Sequence, residues 1–309
     1  MPPPDLVLPE VPCLWLSPIL RPELSLGAFQ RAASALRPSS LPVTRRRSGG
    51  PALSLGPEAL HLALFLPTPS AVVPDADLPR LLNRHVRPLL RALKRLGLPA
   101  SYPGRDWIAV AHRPAVWVGF AHRASSGACC VEAFLPLDLP FALPPGLDAA
   151  EGDRSAPPWL GKTPAALREL SPRPLALEDL QDAVVRAYAE DLRVPAEPGR
   201  YRPEQLRPEA LDERGPWTAR REEAIGFVGA AGPPAPGLGG DFFASEDLMT
   251  ALDARLLALP PGASRGALEA ALMAAVEETG GALEGVRSAA TLLDVLEEAF
   301  AAPGLTSPR

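Results

Sequence analysis

The sequence predicts an α+β protein: a mixed β-sheet with flanking helices, followed by a small helical C-terminal accessory domain. Three observations carry this. Apolar stretches of strand length, such as residues 59–67 (ALHLALFLP), recur through the first 140 residues. Two longer segments, 77–97 and 177–192, repeat their apolar residues at helical spacing. After the GDFF at residues 240–243 the pattern becomes helical only.

Residues 12–20 (PCLWLSPIL) read as one strand or two, broken at Pro18, and 24–30 (LSLGAFQ) as a strand ending in a glycine turn. Residues 41–44 lead into an arginine run, and 59–67 form a largely buried strand. In 77–97, Leu78, Leu81, Leu82, Val86, Leu89, Leu90, Leu93 and Leu96 share one helical stripe. Asp77 can cap it, Pro79 fits its first turn and Gly97 closes it; Pro88 kinks the helix or marks its true start. Residues 106–123 read as two short strands about a turn at 111–114, and 127–139 as a strand with Cys129, Val131 and Ala133 on one face. Residues 144–176 are Pro-rich and loop-like, and 177–192 form an amphipathic helix through Leu180, Val184, Tyr188 and Leu192. Residues 193–240 are punctuated by Pro and Gly, with one short strand at 224–229 (AIGFVG). Ser245, Ser264 and Ser288 then stand as N-caps of three helices, separated by Pro260-Pro261-Gly262 and Gly280-Gly281. The expected organisation is a catalytic-type domain over 1–195, a connecting segment over 196–240 and the accessory domain over 241–309.

The chain has 309 residues, 47% of them hydrophobic, enough for a sizeable core. Its net charge of −5 is unevenly spread: residues 1–130 hold 15 basic and 7 acidic side chains, and the excess of acids lies beyond them. A basic first part suits an anionic ligand or an acidic partner, and equally an arginine-rich solvated surface. Basic residues are not interleaved with aromatics, so nucleic acid is not expected. Three cysteines, Cys13, Cys129 and Cys130, make no disulfide framework and fit a reducing cytoplasm. No basic leader and no apolar run of membrane-spanning length stands out, so no membrane role is expected.

Residues 44–51 (TRRRSGGP) form the most chemical stretch. Glycines let the backbone turn tightly with N–H groups pointing at an oxyanion, and arginines add charge-assisted bonds. A solvated basic hairpin loop explains the same letters. Cys129 or Cys130, with His112 or His122 as base, is a candidate thiol nucleophile, although a buried cysteine is the commoner fate. Adjacent cysteines chelate poorly, and no metal site is expected. His61 reads as a core or rim histidine.

Taken in order, the motifs resemble the lipoate–protein ligase family, within the biotin/lipoate ligase and octanoyltransferase superfamily. Arg45, Arg46, Ser48, Gly49, Gly50 and Ala52 match the family's Arg-Arg-x-Ser-Gly-Gly-Gly-Ala loop. The LSLGAFQ segment resembles its Leu-Gly-x-x-Gln strand end. Residues 104–110 (GRDWIAV) stand where the family has Gly-Arg-Asn-Asp, and 118–123 (VGFAHR) resemble Ser-Gly-x-Ala-Gln-Arg. The strand at 127–139 falls where the family runs His-His-Gly-Thr-Leu-Leu, and the tail resembles the accessory domain.

The resemblance implies a biotin/lipoate ligase-like fold. It implies ATP with Mg as cofactor, lipoate or octanoate as the small-molecule acyl substrate, and a lipoyl-type acyl-carrier domain as partner. The activity implied is adenylation of the acyl carboxylate and transfer to a carrier lysine. It places ligand and phosphate contacts on the loop residues above and on Arg105, Asp106 and Gly119. Two departures stand against activity. Pro51 replaces the third loop glycine, removing a backbone donor. The family's strand lysine falls on Pro114 or Val116, and the chain's only lysines are Lys94 and Lys162. Arg113 and Arg123 are the candidate catalytic surrogates, though guanidinium and ammonium are not interchangeable. The alternative is a pseudoenzyme that binds an acyl ligand or a carrier protein without adenylation.

Overall fold

The computed structural model describes residues 10–32, 40–143, 158–198, 204–206, 215–223 and 226–301. Its centre is a seven-stranded sheet in the order β10-β1-β5-β9-β8-β7-β6. These strands are β1 Cys13–Ile19, β5 Ala59–Leu66, β6 Ala100–Ser101, β7 Trp107–Val110, β8 Arg113–His122, β9 Cys129–Pro136 and β10 Ala196–Pro198. Only the β1–β10 pair is parallel. A second sheet, ordered β11-β3-β2-β4, contains β2 Glu23–Leu26, β3 Val43–Arg45, β4 Leu53–Leu55 and β11 Glu204–Gln205.

Period-two alternation gives the large sheet two chemically different faces. One carries Leu14, Leu16, Leu60, Leu62, Leu64, Val131, Ala133, Val118 and Phe120, set side by side by the strand registers. It packs against α1 Leu81–His85, α2 Arg87–Arg95 and α4 Leu177–Leu192. The other carries Trp15, His61, Glu132, Phe134, Trp117 and Gly119, and it meets the arginine loop.

The helix expected over 77–97 is divided. A 3₁₀ turn at Leu78–Arg80, N-capped by the Asp77 side chain, precedes α1 and α2, which join at Val86. Pro88 explains the division: it has no N–H to give an interior hydrogen bond, so it sits in the first turn of α2, where none is needed. Pro18 does not break β1. It lies beyond Leu14–Leu16, the stretch paired with β10, so the missing donor faces no partner there. A short helix, α3 Leu167–Leu170, lies in the expected 144–176 loop, whose residues 144–157 fall outside the described ones.

Between 196 and 240 the structure has more strands than periodicity suggests. Besides β10 and β11 there are β12 Ala219–Glu223, β13 Gly226–Ala231 and β14 Gly237–Gly240, forming a three-stranded sheet. The sequence hides them for local reasons: β12 is ARREE, with no apolar alternation, and β14 is GLGG. This sheet shares one core with α5 Glu246–Leu257, α6 Arg265–Thr279 and α7 Ala289–Ala301, through Val228, Leu238, Leu252, Leu268, Leu296 and Phe300. Ser264 caps α6 through its side chain, and Ser245 stands at the α5 N-cap position. A short antiparallel pair, β15 Phe243–Ala244 with β16 Leu283–Glu284, brackets α5 and α6 and interrupts the expected all-helical tail. Among the described residues, no helix is long and apolar enough to cross a membrane.

Candidate functional site

The loop after β3 is built around Arg46. Its side chain has no exposed surface. Nη1 donates to Ser25 O at 3.0 Å, Nη2 to Gly49 O at 2.9 Å and Pro51 O at 2.6 Å, and Nε to Gly49 O at 3.2 Å. The guanidinium lies 4.1 Å above the Trp117 ring. Burial lowers its pKa to about 10, opposed by Glu132, Asp241 and Asp106. Arg45 donates from Nη1 to the carbonyls of Gly27, Ala28 and Gln30. These two arginines hold the turn after β2 against the loop.

The loop amides are committed as well. Ser48 N donates to Glu132 Oε2 at 2.6 Å, Gly49 N to Phe120 O at 3.4 Å and Gly50 N to Phe242 O at 3.1 Å. The glycines permit this closeness. A Cβ on Gly49 would stand 1.9 Å from Phe242 O, and one on Gly50, whose φ is +90°, 2.9 Å from Trp117 Cζ2. Ala52 is buried beside them. The Ser48, Gly49 and Gly50 amides and the Arg45 and Arg46 guanidiniums, expected to face an anion, thus face carbonyls and a carboxylate of the protein.

Glu132, a lone acid in the apolar β9, is the partner that sequence reading passed over; its isolation within ACCVEAFLP was the available signal. It has no exposed surface and meets His61 Nε2 at 3.1 Å. Burial alone would push its pKa up, but His61 and the Ser48 amide outweigh it and hold the carboxyl at about 2. His61 stacks on Phe134, with centroids 4.6 Å apart, as a core histidine with a polar task.

Gly119, expected to contact ligand, lies against an indole: its Cβ would stand 2.4 Å from Trp117 Cη2 and 2.9 Å from Phe243 Cε1. Trp117 thus fills the slot between β8 and the loop, and it too was missed. Pro114 and Val116, the positions where the family lysine falls, are buried, Val116 in the main apolar core. Lys162 donates to His112 O at the β7–β8 turn, and Lys94 is exposed on α2.

The surrogates lie at opposite ends of β8. Arg113 pairs with Glu169 and donates to the Thr163 and Pro164 carbonyls. Arg123, just past the strand, pairs with Glu246 at 3.2 Å. The cysteines are buried: burial pushes Cys129 up to about 12 and raises Cys130 too, so neither offers a thiolate. His122 Nδ1 instead meets Ser245 Oγ at 2.8 Å.

Arg105 and Asp106 line a separate cleft of about 490 Å³, with Leu78, Arg80, Leu82, Asn83, Tyr102, Phe120, Phe243 and Glu284 among its walls. Asp106 is 6% exposed, and burial raises its carboxyl to about 6, against its own amide, Arg105 and Arg46. Phe120 and Phe243 stack at 4.9 Å. The expected ligand contacts thus divide between the loop with Gly119 and this cleft, and Arg113 and Arg123 belong to neither.

P. falciparum LipL1, solved in complex with lipoate, aligns with 93% of this chain and 85% of its own, at 12% identity and a TM-score of 0.60. The fold is that of the biotin and lipoate ligases. A bi-partite lipoate protein ligase of Thermoplasma acidophilum is similar to 62% of the chain over 75% of its own, at 15% identity and a TM-score of 0.48. A lipoate-protein ligase A bound with ATP is similar over 61% and 75%, at 16% identity and 0.42. No family model and no curated protein matches the sequence. On this ligase fold, the arginine–glycine loop here is packed shut by Arg46, Glu132 and Trp117.

Proposed function

We propose that this chain uses the ligase fold to bind a lipoyl-type carrier domain without adenylating an acyl group. The observation that carries the reading is the commitment of the Ser48, Gly49 and Gly50 amides to protein acceptors. Adenylation needs donors aimed where phosphoryl charge develops. ATP with Mg fits the loop poorly, because its amides and the Arg45 and Arg46 guanidiniums already serve carbonyls and a carboxylate. Trp117 fills the slot beside the loop, which disfavours an acyl chain there. The apolar Pro114 and Val116 remove the cation that would let two anions approach. The basic first 130 residues suit the acidic surface of a carrier domain.

Pyrophosphate release measured with ATP, Mg and either lipoate or octanoate tests the catalytic half. The expected rate is that of the protein-free control, and acyl-dependent release refutes the reading. Titration with an unmodified lipoyl-type domain tests the binding half. The expected result is a complex weakened by added salt, and no complex at any salt concentration refutes it.

A further inference from the structure

The contact between the end of β8 and the head of α5 carries chemistry that the carrier reading does not use. Ser245 is fully buried, and although it stands at the N-cap position its hydroxyl caps no amide of α5. Its Oγ instead accepts from Ala282 N at 3.0 Å, while Ser245 N donates to Ala282 O at 2.9 Å. Oγ also lies 2.8 Å from His122 Nδ1. With the Ala282 amide already donating to Oγ, the hydroxyl gives its own hydrogen to Nδ1. His122 is then a neutral imidazole that keeps its hydrogen on Nε2. The ring is half-buried, so solvent protons reach it. A second proton on it would set Nδ1–H against Oγ–H, and the hydroxyl hydrogen would lose its acceptor in a fully buried position.

The groups around the ring set the pH window. Burial lowers the His122 pKa from 6.5, against the charge of Asp247 on α5. The contact is therefore whole above pH 6.5 and weakens as pH falls below it. Glu246, also on α5, is engaged by Arg123 at the end of β8. Cys129, the register partner of His122 on β9, has a thiol pushed up to about 12 by burial and stays neutral. Asp247 titrates below 3.8, outside this window. Glu284 on β16 and Asp106 are both raised by burial, so the fold gains from their protonation, the opposite sense. The same contact stands beside the arginine–glycine loop. Just before His122 on β8, Phe120 O accepts from Gly49 N, and just before Ser245, Phe242 O accepts from Gly50 N. A parallel backbone bridge between His122 and Ser245 joins the two segments that carry these carbonyls. We infer that the His122–Ser245 hydrogen bond is a pH-sensitive latch: protonation of His122 parts β8 from the segment leading into α5 and releases the Gly49 and Gly50 amides from Phe120 and Phe242. The latch rests on the same commitment of the loop amides as the carrier reading, and adds the condition that relaxes it.

Amide hydrogen exchange of the full chain, read by NMR between pH 5 and pH 8 and expressed as protection relative to the intrinsic rate at each pH, tests this. The His122 ring titration is followed in the same samples. Protection at Gly49 and Gly50 should fall about threefold or more from pH 7.5 to pH 5, with its midpoint at the His122 titration. Amides of β5, away from the latch, should stay protected throughout. His122→Asn sets a carbonyl oxygen near the place of Nδ1 and does not titrate; it should keep the protection seen at pH 7.5 and flatten the profile. Asp106→Asn removes the neighbouring titration near pH 6 and should leave the profile in place. A profile that survives in His122→Asn, that vanishes in Asp106→Asn, or that is flat in the parent while His122 titrates overturns the latch. Slow exchange at every pH removes the latch alone and leaves the carrier reading in place. Absence of protection at pH 7.5 overturns the latch together with the loop geometry on which the carrier reading rests.

Discussion

The Arg46 guanidinium is fully buried and satisfied by three backbone carbonyls and an indole face. Truncation leaves those carbonyls without donors and removes the attraction between Arg46 and Glu132. Arg46→Ala should therefore cost about 3–5 kcal/mol in a urea melt. Arg46→Lys should recover little, because an ammonium cannot lie flat on Trp117 and reach acceptors on both sides. Asp106 behaves in the opposite sense. Its folded pKa of about 6 lies above the ordinary 3.8, so ionisation costs stability as pH rises from about 4 to 6. Asp106→Asn should match the parent below pH 4 and exceed it above pH 6, by on the order of 1–3 kcal/mol, when stability is mapped against pH. A parallel pair of curves would contradict the burial that raises this carboxyl.

At the scale of elements, β8 has no room for a side chain at Gly119, where a Cβ would stand 2.4 Å from Trp117 Cη2. Gly119→Ala should destabilise by about 1–3 kcal/mol in a denaturant titration. Combining it with Trp117→Leu should recover part of that loss, since the clash is with the indole; strict additivity would place the strain elsewhere. The long strands β5, β8 and β9, α4 and the tail helices were legible in the sequence, because apolar period and capping residues act locally. The β12–β14 sheet was not, since a charged edge strand and a glycine-rich one carry no such pattern. The arginine–glycine loop was legible as a special turn but not in its polarity. Whether its amides face ligand or protein depends on Glu132, Phe120 and Phe242, all far away in the chain.

Across the whole molecule there are two main apolar cores, and the turn after β8 docks on the N-terminus of α5. Asp247 accepts from the Ala124 and Ser125 amides, Arg123 pairs with Glu246, and His122 meets Ser245. Burial pushes Asp247 up, but the two amides outweigh it and hold its pKa below 3.8. Its contribution is thus full above that value and lost as pH falls through the lower folded one. Asp247→Ala should cost no more than about 1 kcal/mol at pH 7, since the carboxylate is largely solvent-screened, and nothing near pH 2. Gln30 ties the same halves: its Nε2 donates to Asp241 Oδ1 at 2.6 Å, while Asp241 Oδ2 accepts from Phe227 N. The closed loop lies between these ties, and its closure is the claim on which the functional reading rests. Amide hydrogen exchange at Ser48, Gly49 and Gly50, read by NMR with and without ATP, Mg and octanoate, measures it most directly. Slow exchange that the additions leave unchanged is the expected result. Fast exchange that the nucleotide and acyl group suppress together would contradict it.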